Sequence, residues 1–184
     1  MKSTRFVFGR ALAVLCALLF VSFGFMSCQQ EDDDNGLPDG VYELSDNSAL
    51  IGTWVNSYSG GTSVYKITSS TFDNSGTSSY NGTTSTYDSY AGNNLVVSYT
   101  NDEETAGYIY IKYTRAMNPD YSYSETAPDV GKWYAIAFKD LTASSLSLSG
   151  AYGTVSSTST LEEAISTFTI ANGYFGFYSE CLKQ

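Results

Sequence analysis

Residues 107–114 read GYIYIKYT and residues 144–152 read SSLSLSGAY, and these two stretches decide the fold class. In both, large apolar side chains alternate with a second set of residues, so that Leu146 and Leu148, for example, are separated by serine. A period of two places the two sets on opposite faces of a β-strand. The pattern recurs in residues 50–58, 62–72, 78–90, 95–100, 132–138 and 174–178, with turns predicted at 73–76 and 91–94. The sequence therefore predicts eight antiparallel strands.

One late segment has a helical period instead. Its apolar residues follow the spacing i, i+3, i+4, i+7: Leu161, Ala164, Ile165 and Phe168. Thr160 and Glu163 match a capping box, and Gly173 favours the end of a helix. Eight strands enclose an interior that is either filled by side chains or holds one small ligand. The predicted fold is all-β with one late α-helix, a small antiparallel β-barrel.

The first residues have the pattern of a targeting segment. Three basic residues precede an apolar run over residues 11–26, which indicates a secretory signal peptide over 1–27. Residues 25–28, FMSC, resemble a bacterial lipobox, in which the cysteine is diacylated with palmitate-type chains. The resemblance implies a lipid anchor at Cys28 in the outer membrane of a cell envelope, facing the periplasm or the surface. The alternative is an ordinary signal peptide cut near Ser27.

An acidic, Gly- and Pro-bounded stretch follows Cys28. Residues 28–47 are predicted to be a solvated tether, and residues 48–184 the folded domain. The acidic run over 31–34 resembles a surface-export signal of Bacteroidetes lipoproteins, although any polar residues would serve as a spacer.

Composition excludes several classes of function. The chain has no histidine, so it lacks Ser-His and Cys-His catalysis and imidazole metal ligands. Its formal net charge of −10 disfavours nucleic acid. With Cys28 acylated, Cys181 has no disulfide partner, and Glu180 beside it disfavours a thiolate, so Cys181 is predicted to be structural. No catalytic residue, metal site or cofactor is predicted.

Two resemblances refine this picture. Residues 52–54, with Gly52 and Trp54 in a Gly-x-Trp motif, resemble the first motif of lipocalins, which implies a tryptophan packed across the barrel base. The closing-arginine motif of that family has no arginine after Arg115. Residues 131–134, 138–142, 160–165 and 172–181 resemble treponemal (spirochaetal) lipoproteins, which implies an envelope lipoprotein and no particular activity.

Tyrosine is the residue type that most suggests a binding role. Residues 115–130 are predicted to form a long loop, whose Tyr121 and Tyr123 would line a mouth together with Tyr108 and Tyr110. The first hypothesis is a non-catalytic barrel that binds a small apolar or amphipathic ligand. The second is a surface interaction protein or adhesin, whose solid barrel presents this loop to a host or envelope protein.

The choice depends on which strand face is interior, which alternation alone does not decide. Small inward residues would leave room for a ligand; the candidates are Ala135, Ala137, Ser147 and Ser149. Large inward residues would fill the barrel; the candidates are Tyr134, Phe138, Leu146 and Leu148.

Overall fold

Ten strands and one helix make up the computed structural model, which describes residues 36–184. Cys28 and the predicted signal peptide lie outside the described residues. The elements are β1 Tyr42–Glu43, β2 Gly52–Tyr58, β3 Gly61–Ile67, β4 Phe72–Tyr80, β5 Thr83–Tyr99, β6 Gly107–Met117, β7 Tyr123–Ser124, β8 Trp133–Lys139, β9 Ser145–Gly150, α1 Leu161–Thr167 and β10 Ser179–Lys183. The predicted all-β class with one late helix is confirmed.

Eight of the strands close into an antiparallel barrel. From β2 to β6, and from β8 to β10, each strand pairs with its neighbour in the chain, while β6 pairs with β8 across the connection that contains β7. β10 then pairs with β2 and closes the ring. The short strands lie beside it: β1 pairs with the later half of β5, and β7 with the end of β6. The predicted barrel is confirmed.

In such an antiparallel barrel, successive connections along the chain lie alternately at one end and at the other. We call the end where β2 begins and β10 ends the base, and the opposite end the mouth. The connections at 68–71, 100–106 and 140–144 lie at the base. The long connections at 118–132 and 151–178, together with the tight turns after β2 and β4, lie at the mouth.

The interior is built from the large set of alternating residues. Phe138 is paired in register with Leu148, and Leu146 with Cys181, and all four belong to the central core. Their neighbours Ala135 and Ala137 belong instead to a second cluster, outside the barrel, which α1 covers with Leu161, Ala164 and Phe168. Small residues therefore let the helix approach the sheet, and large ones fill the interior.

The base is closed around a tryptophan. Trp54 is fully buried, and its indole Nε1 donates a hydrogen bond of 2.8 Å to the carbonyl oxygen of Leu50. Leu44 and Leu50 cover this end from the segment that precedes β2. The Lys183 ammonium lies 5.0 Å from the centre of the indole ring.

Several predicted boundaries within residues 62–100 are wrong. The turn predicted at 73–76 belongs to β4; the chain turns earlier, where Thr68 Oγ1 accepts hydrogen bonds from the backbone amides of Ser70 and Thr71. The turn predicted at 91–94 lies inside β5, which bends there through irregular pairing with β6. The reason for both errors is that polar residues occupy both faces of these strands, so alternation does not mark them.

Three further boundaries differ from expectation. The tether predicted to end at residue 47 ends earlier, because Val41 and Leu44 are buried and β1 pairs with β5. The loop predicted over 115–130 is partly strand, since β6 continues to Met117 and β7 pairs with it. The last strand is β10 rather than residues 174–178. Among residues 36–184, no helix has the length and apolar character that a membrane span requires.

Candidate functional site

A cavity of about 600 Å³ opens at the mouth of the barrel. Side chains that point into the barrel from β5, β6 and β8 form its floor, and the two long mouth connections form its rim. Its lining residues are Tyr90, Tyr113, Met117, Asn118, Pro119, Tyr121, Tyr123, Pro128, Asp129, Tyr134, Ala151, Tyr152, Gly153, Val155 and Ser156. The volume lies within the range of small-molecule sites.

Three packed tyrosines form the floor. The rings of Tyr113 and Tyr134 stack with centroids 4.8 Å apart, and Tyr90 meets Tyr134 edge-on at 5.3 Å. Below them Phe72 stacks on Tyr90 at 5.7 Å, which joins the floor to the core. The Tyr134 hydroxyl donates to the carbonyl oxygen of Ala151 at 2.9 Å, so this ring is fixed to the rim as well. The floor is rigid and aromatic.

These floor tyrosines are neutral over a wide pH range. Burial raises the pKa of Tyr90, Tyr113 and Tyr134 well above the ordinary phenol value, because an anion would lose its hydration. The neighbouring phenols raise the pKa of Tyr90 further, since two phenolates would repel one another. The floor therefore offers uncharged ring faces and hydroxyls.

The rim carries exposed apolar side chains on two sides. Tyr121 is 80% exposed and Tyr152 is 75% exposed, on different connections. Met117 and Tyr123 add to the first side, and Val155 to the second. Apolar groups collected around one opening are unlike the scattered exposed residues of an ordinary surface, and such groups mark a binding surface.

A carboxylate joins the two rim connections. Asp129 accepts a hydrogen bond of 2.6 Å from the Ser156 hydroxyl and one of 2.9 Å from the Lys132 ammonium. Burial raises the pKa of Asp129, but these hydrogen bonds outweigh it and hold the pKa below the ordinary value. Asp129 is therefore ionised and holds residues 151–156 against the 118–132 connection.

The structure separates the four tyrosines that were expected at one mouth. Tyr121 and Tyr123 line the cavity. Tyr110 is buried in the cluster outside the barrel, and Tyr108 packs against that cluster, with its hydroxyl accepting from the Ile170 amide. The expectation that Tyr108 and Tyr110 line the same mouth is therefore wrong, because β6 turns these side chains towards α1.

Sequence reasoning missed the floor. Tyr90, Tyr113 and Tyr134 were recognised as strand residues but not as site residues, because alternation does not say which face is interior. Within β6 the face of Tyr113 could have been inferred from the other residues of the strand. Tyr108 and Tyr110 lie on one face, so Ile111 and Tyr113 lie on the opposite one. Which of the two faces points inward depends on where α1 packs, and no local sequence pattern gives the position of the helix against the sheet.

Two findings on the described residues concern metal-ligating groups and the Cys181 thiol. No group of three Cys, Asp or Glu side chains in residues 36–184 could hold a metal ion. The Cys181 thiol is buried in the core, and burial raises its pKa to about 12, which opposes a reactive thiolate. No protein-family model, curated protein or solved structure matches the chain.

Proposed function

We propose that this protein is a lipid-anchored envelope lipoprotein whose barrel, of lipocalin-like type, binds a small apolar or amphipathic ligand without catalysis. The observation that carries the proposal is the tyrosine-floored cavity of about 600 Å³ at the mouth. A concave, mostly apolar site with a few fixed polar groups is typical of small-molecule binding.

The filling of the barrel limits where the ligand lies. Of the two sets that the sequence left open, the large one faces inward: Phe138, Leu146 and Leu148 fill the interior below the floor, and Tyr134 forms part of the floor itself. The ligand therefore lies above the floor tyrosines and enters and leaves through the mouth.

The lipocalin-like part of the proposal is supported by the base. Gly52 and Trp54 begin the first barrel strand, and a basic residue lies over the indole ring, although it is Lys183 and not an arginine. The strand order, a meander closed by its last strand, supports the same comparison.

The binding proposal is tested on the barrel domain, residues 37–184, which forms one compact unit. Native mass spectrometry of this domain should reveal a co-purifying small molecule, or uptake of an added fluorescent amphiphile. Val155→Trp should block uptake by filling the cavity from the rim. Ile170→Trp is the matched control, because Ile170 is 56% exposed and lies outside the lining. A barrel that takes up no amphiphile would contradict the proposal.

The anchor is tested separately. Labelling of growing cells with an alkyne fatty acid should mark the full chain and should be lost in Cys28→Ser. Cys16→Ser is the matched control, because Cys16 lies within the predicted signal peptide. Undiminished label in Cys28→Ser would contradict anchoring at this residue.

A second function is favoured by two observations, the filled barrel interior and the exposed apolar rim. Tyr121, Tyr152 and Met117 would suit a protein partner, as expected of a solid-barrel adhesin that contacts a host or envelope protein. Val155→Trp separates the two functions, since it fills the cavity but leaves Tyr121 and Tyr152 available to a partner.

A further inference from the structure

The charges around the mouth are unbalanced. Asp129 is the only charged side chain among the fifteen that line the cavity. The 118–132 connection carries three carboxylates, Asp120, Glu125 and Asp129, but a single ammonium, Lys132. The opposite rim segment, residues 151–156, carries no charge. An anionic ligand would therefore find hydroxyl and amide donors but no positively charged side chain among the lining residues, and an anion without a cationic partner is costly to remove from water.

The floor and rim of the cavity also contain electron-rich aromatic rings. Six tyrosines line the cavity: Tyr90, Tyr113, Tyr121, Tyr123, Tyr134 and Tyr152. The face of an aromatic ring carries partial negative charge and attracts a cation within about 6 Å of its centre. The floor rings stack on one another and on Phe72, so the rim rings Tyr121, Tyr123 and Tyr152 are the ones left to contact a bound head group.

We infer that the ligand at the mouth is a small organic cation, with an ammonium head on an apolar body, held by the tyrosine faces and by Asp129. This inference rests on the proposed function and names its ligand class. The apolar body would contact Met117, Val155 and the floor rings. Lys132 bonds to Asp129 but does not line the cavity, so it weakens the attraction without occupying the site.

Three ligands with the same chain and different heads test the inference. Decyltrimethylammonium, decanol and decanoate are titrated calorimetrically into residues 37–184 at about 150 mM salt, which screens the net charge beyond about 8 Å. The two ionic ligands are kept below their micelle concentrations and decanol below its solubility limit. We expect the cation to bind roughly 3- to 10-fold more tightly than the alcohol, and decanoate to bind most weakly.

The outcomes separate the two proposals. If none of the three ligands binds, the proposed function itself fails. If decanol or decanoate binds as tightly as the cation, the cavity binds amphiphiles but the cationic class is overturned.

Variants identify the groups responsible. Tyr123→Leu with Tyr152→Leu keeps apolar area but removes two ring faces, and should lower the affinity for the cation roughly 3- to 10-fold while leaving decanol nearly unchanged. Tyr80→Leu is the control, since Tyr80 is about as exposed as Tyr152 but does not line the cavity. If the double variant binds the cation as tightly as the parent, the ring faces are not the site and the inference is overturned.

A last variant tests the carboxylate. Lys132→Gln removes the ammonium that lies 2.9 Å from Asp129, and should raise the affinity for the cation about 2- to 5-fold. The Lys132 side chain is about half exposed, so its loss should leave the fold intact. An unchanged or lower affinity for the cation would overturn the role assigned to Asp129.

Discussion

Lys183 is paired in register with Trp54, and its ammonium lies over the indole ring, 5.0 Å from the ring centre. The same ammonium donates a hydrogen bond of 3.1 Å to the carbonyl oxygen of Ala49. A cation over an indole face, with one further acceptor, stabilises a partly exposed site. The last barrel strand therefore fixes the base through its backbone and through this side chain.

Trp54→Ala should lower the free energy of unfolding by about 3–5 kcal/mol, because it removes the largest fully buried side chain and leaves a cavity at the base. Trp54→Phe should cost less, since a ring still covers this end. The measurement is urea unfolding of residues 37–184, and an unchanged midpoint in Trp54→Ala would contradict the role of this residue.

Lys183→Met should cost about 1 kcal/mol, through loss of the contact with the ring and of the bond to Ala49. Lys66→Met is a suitable control, because Lys66 is an exposed lysine on β3, the strand on the other side of β2. Equal effects of the two substitutions would show that only net charge matters.

Gly52→Ala should destabilise the barrel for two separate reasons. Gly52 has φ of +149°, where side chains are rarely found, and an added Cβ would lie 2.5 Å from Lys183 Cε. The second cost should disappear when Lys183→Ala is introduced too, so the double variant should be less destabilised than the sum of the single ones. Strict additivity would mean that the lysine simply moves aside.

Alkaline pH should unfold the domain through its buried tyrosines. The pKa of Tyr90, Tyr113 and Tyr134 is raised in the folded state above the ordinary value of 10.0, so their contribution is complete below about pH 10 and is lost as the pH rises further. Phenolate absorbance should show a late group of tyrosines that ionises together with unfolding. Ionisation of every tyrosine near pH 10 in the folded protein would contradict this.

Cys181 should resist thiol reagents until the domain unfolds. Its thiol is buried, and burial raises its pKa to about 12. In a full chain carrying Cys16→Ser and Cys28→Ser, so that one thiol remains, a disulfide reagent at pH 8 should react within minutes only in denaturant. Fast reaction of the native chain would place this thiol at the surface.

The parts of the fold that were predicted well are those where the two faces differ. β8 and β9 alternate large apolar residues with mostly small or polar ones, and β6 alternates isoleucine with tyrosine, so their positions were found closely. Between β3 and β5, serine, threonine and tyrosine occupy both faces, so the turns were misplaced. One local signal was available there: Asn81 and Gly82 both have positive φ in the tight turn after β4, as an Asn-Gly pair favours.

The site was predicted only in part, for a related reason. Tyr121 and Tyr123 were found because a long connection at a barrel end is exposed regardless of which strand face points inward. The floor tyrosines depend on which face points inward, and that is decided when α1 covers the small residues Ala135 and Ala137 of β8. Such a choice is made by tertiary packing and not by any one segment.

Closure of the ring by its last strand has a consequence for how the protein is made. The Asn56 side chain on β2 bonds to the backbone of Glu180, 124 residues later, in the strand that pairs with β2 and closes the ring. Pairing between such distant segments makes folding slow, and it cannot finish while β10 is still inside the ribosome. A polypeptide that stays open this long remains threadable, which is the state that the export included in the proposed function would require.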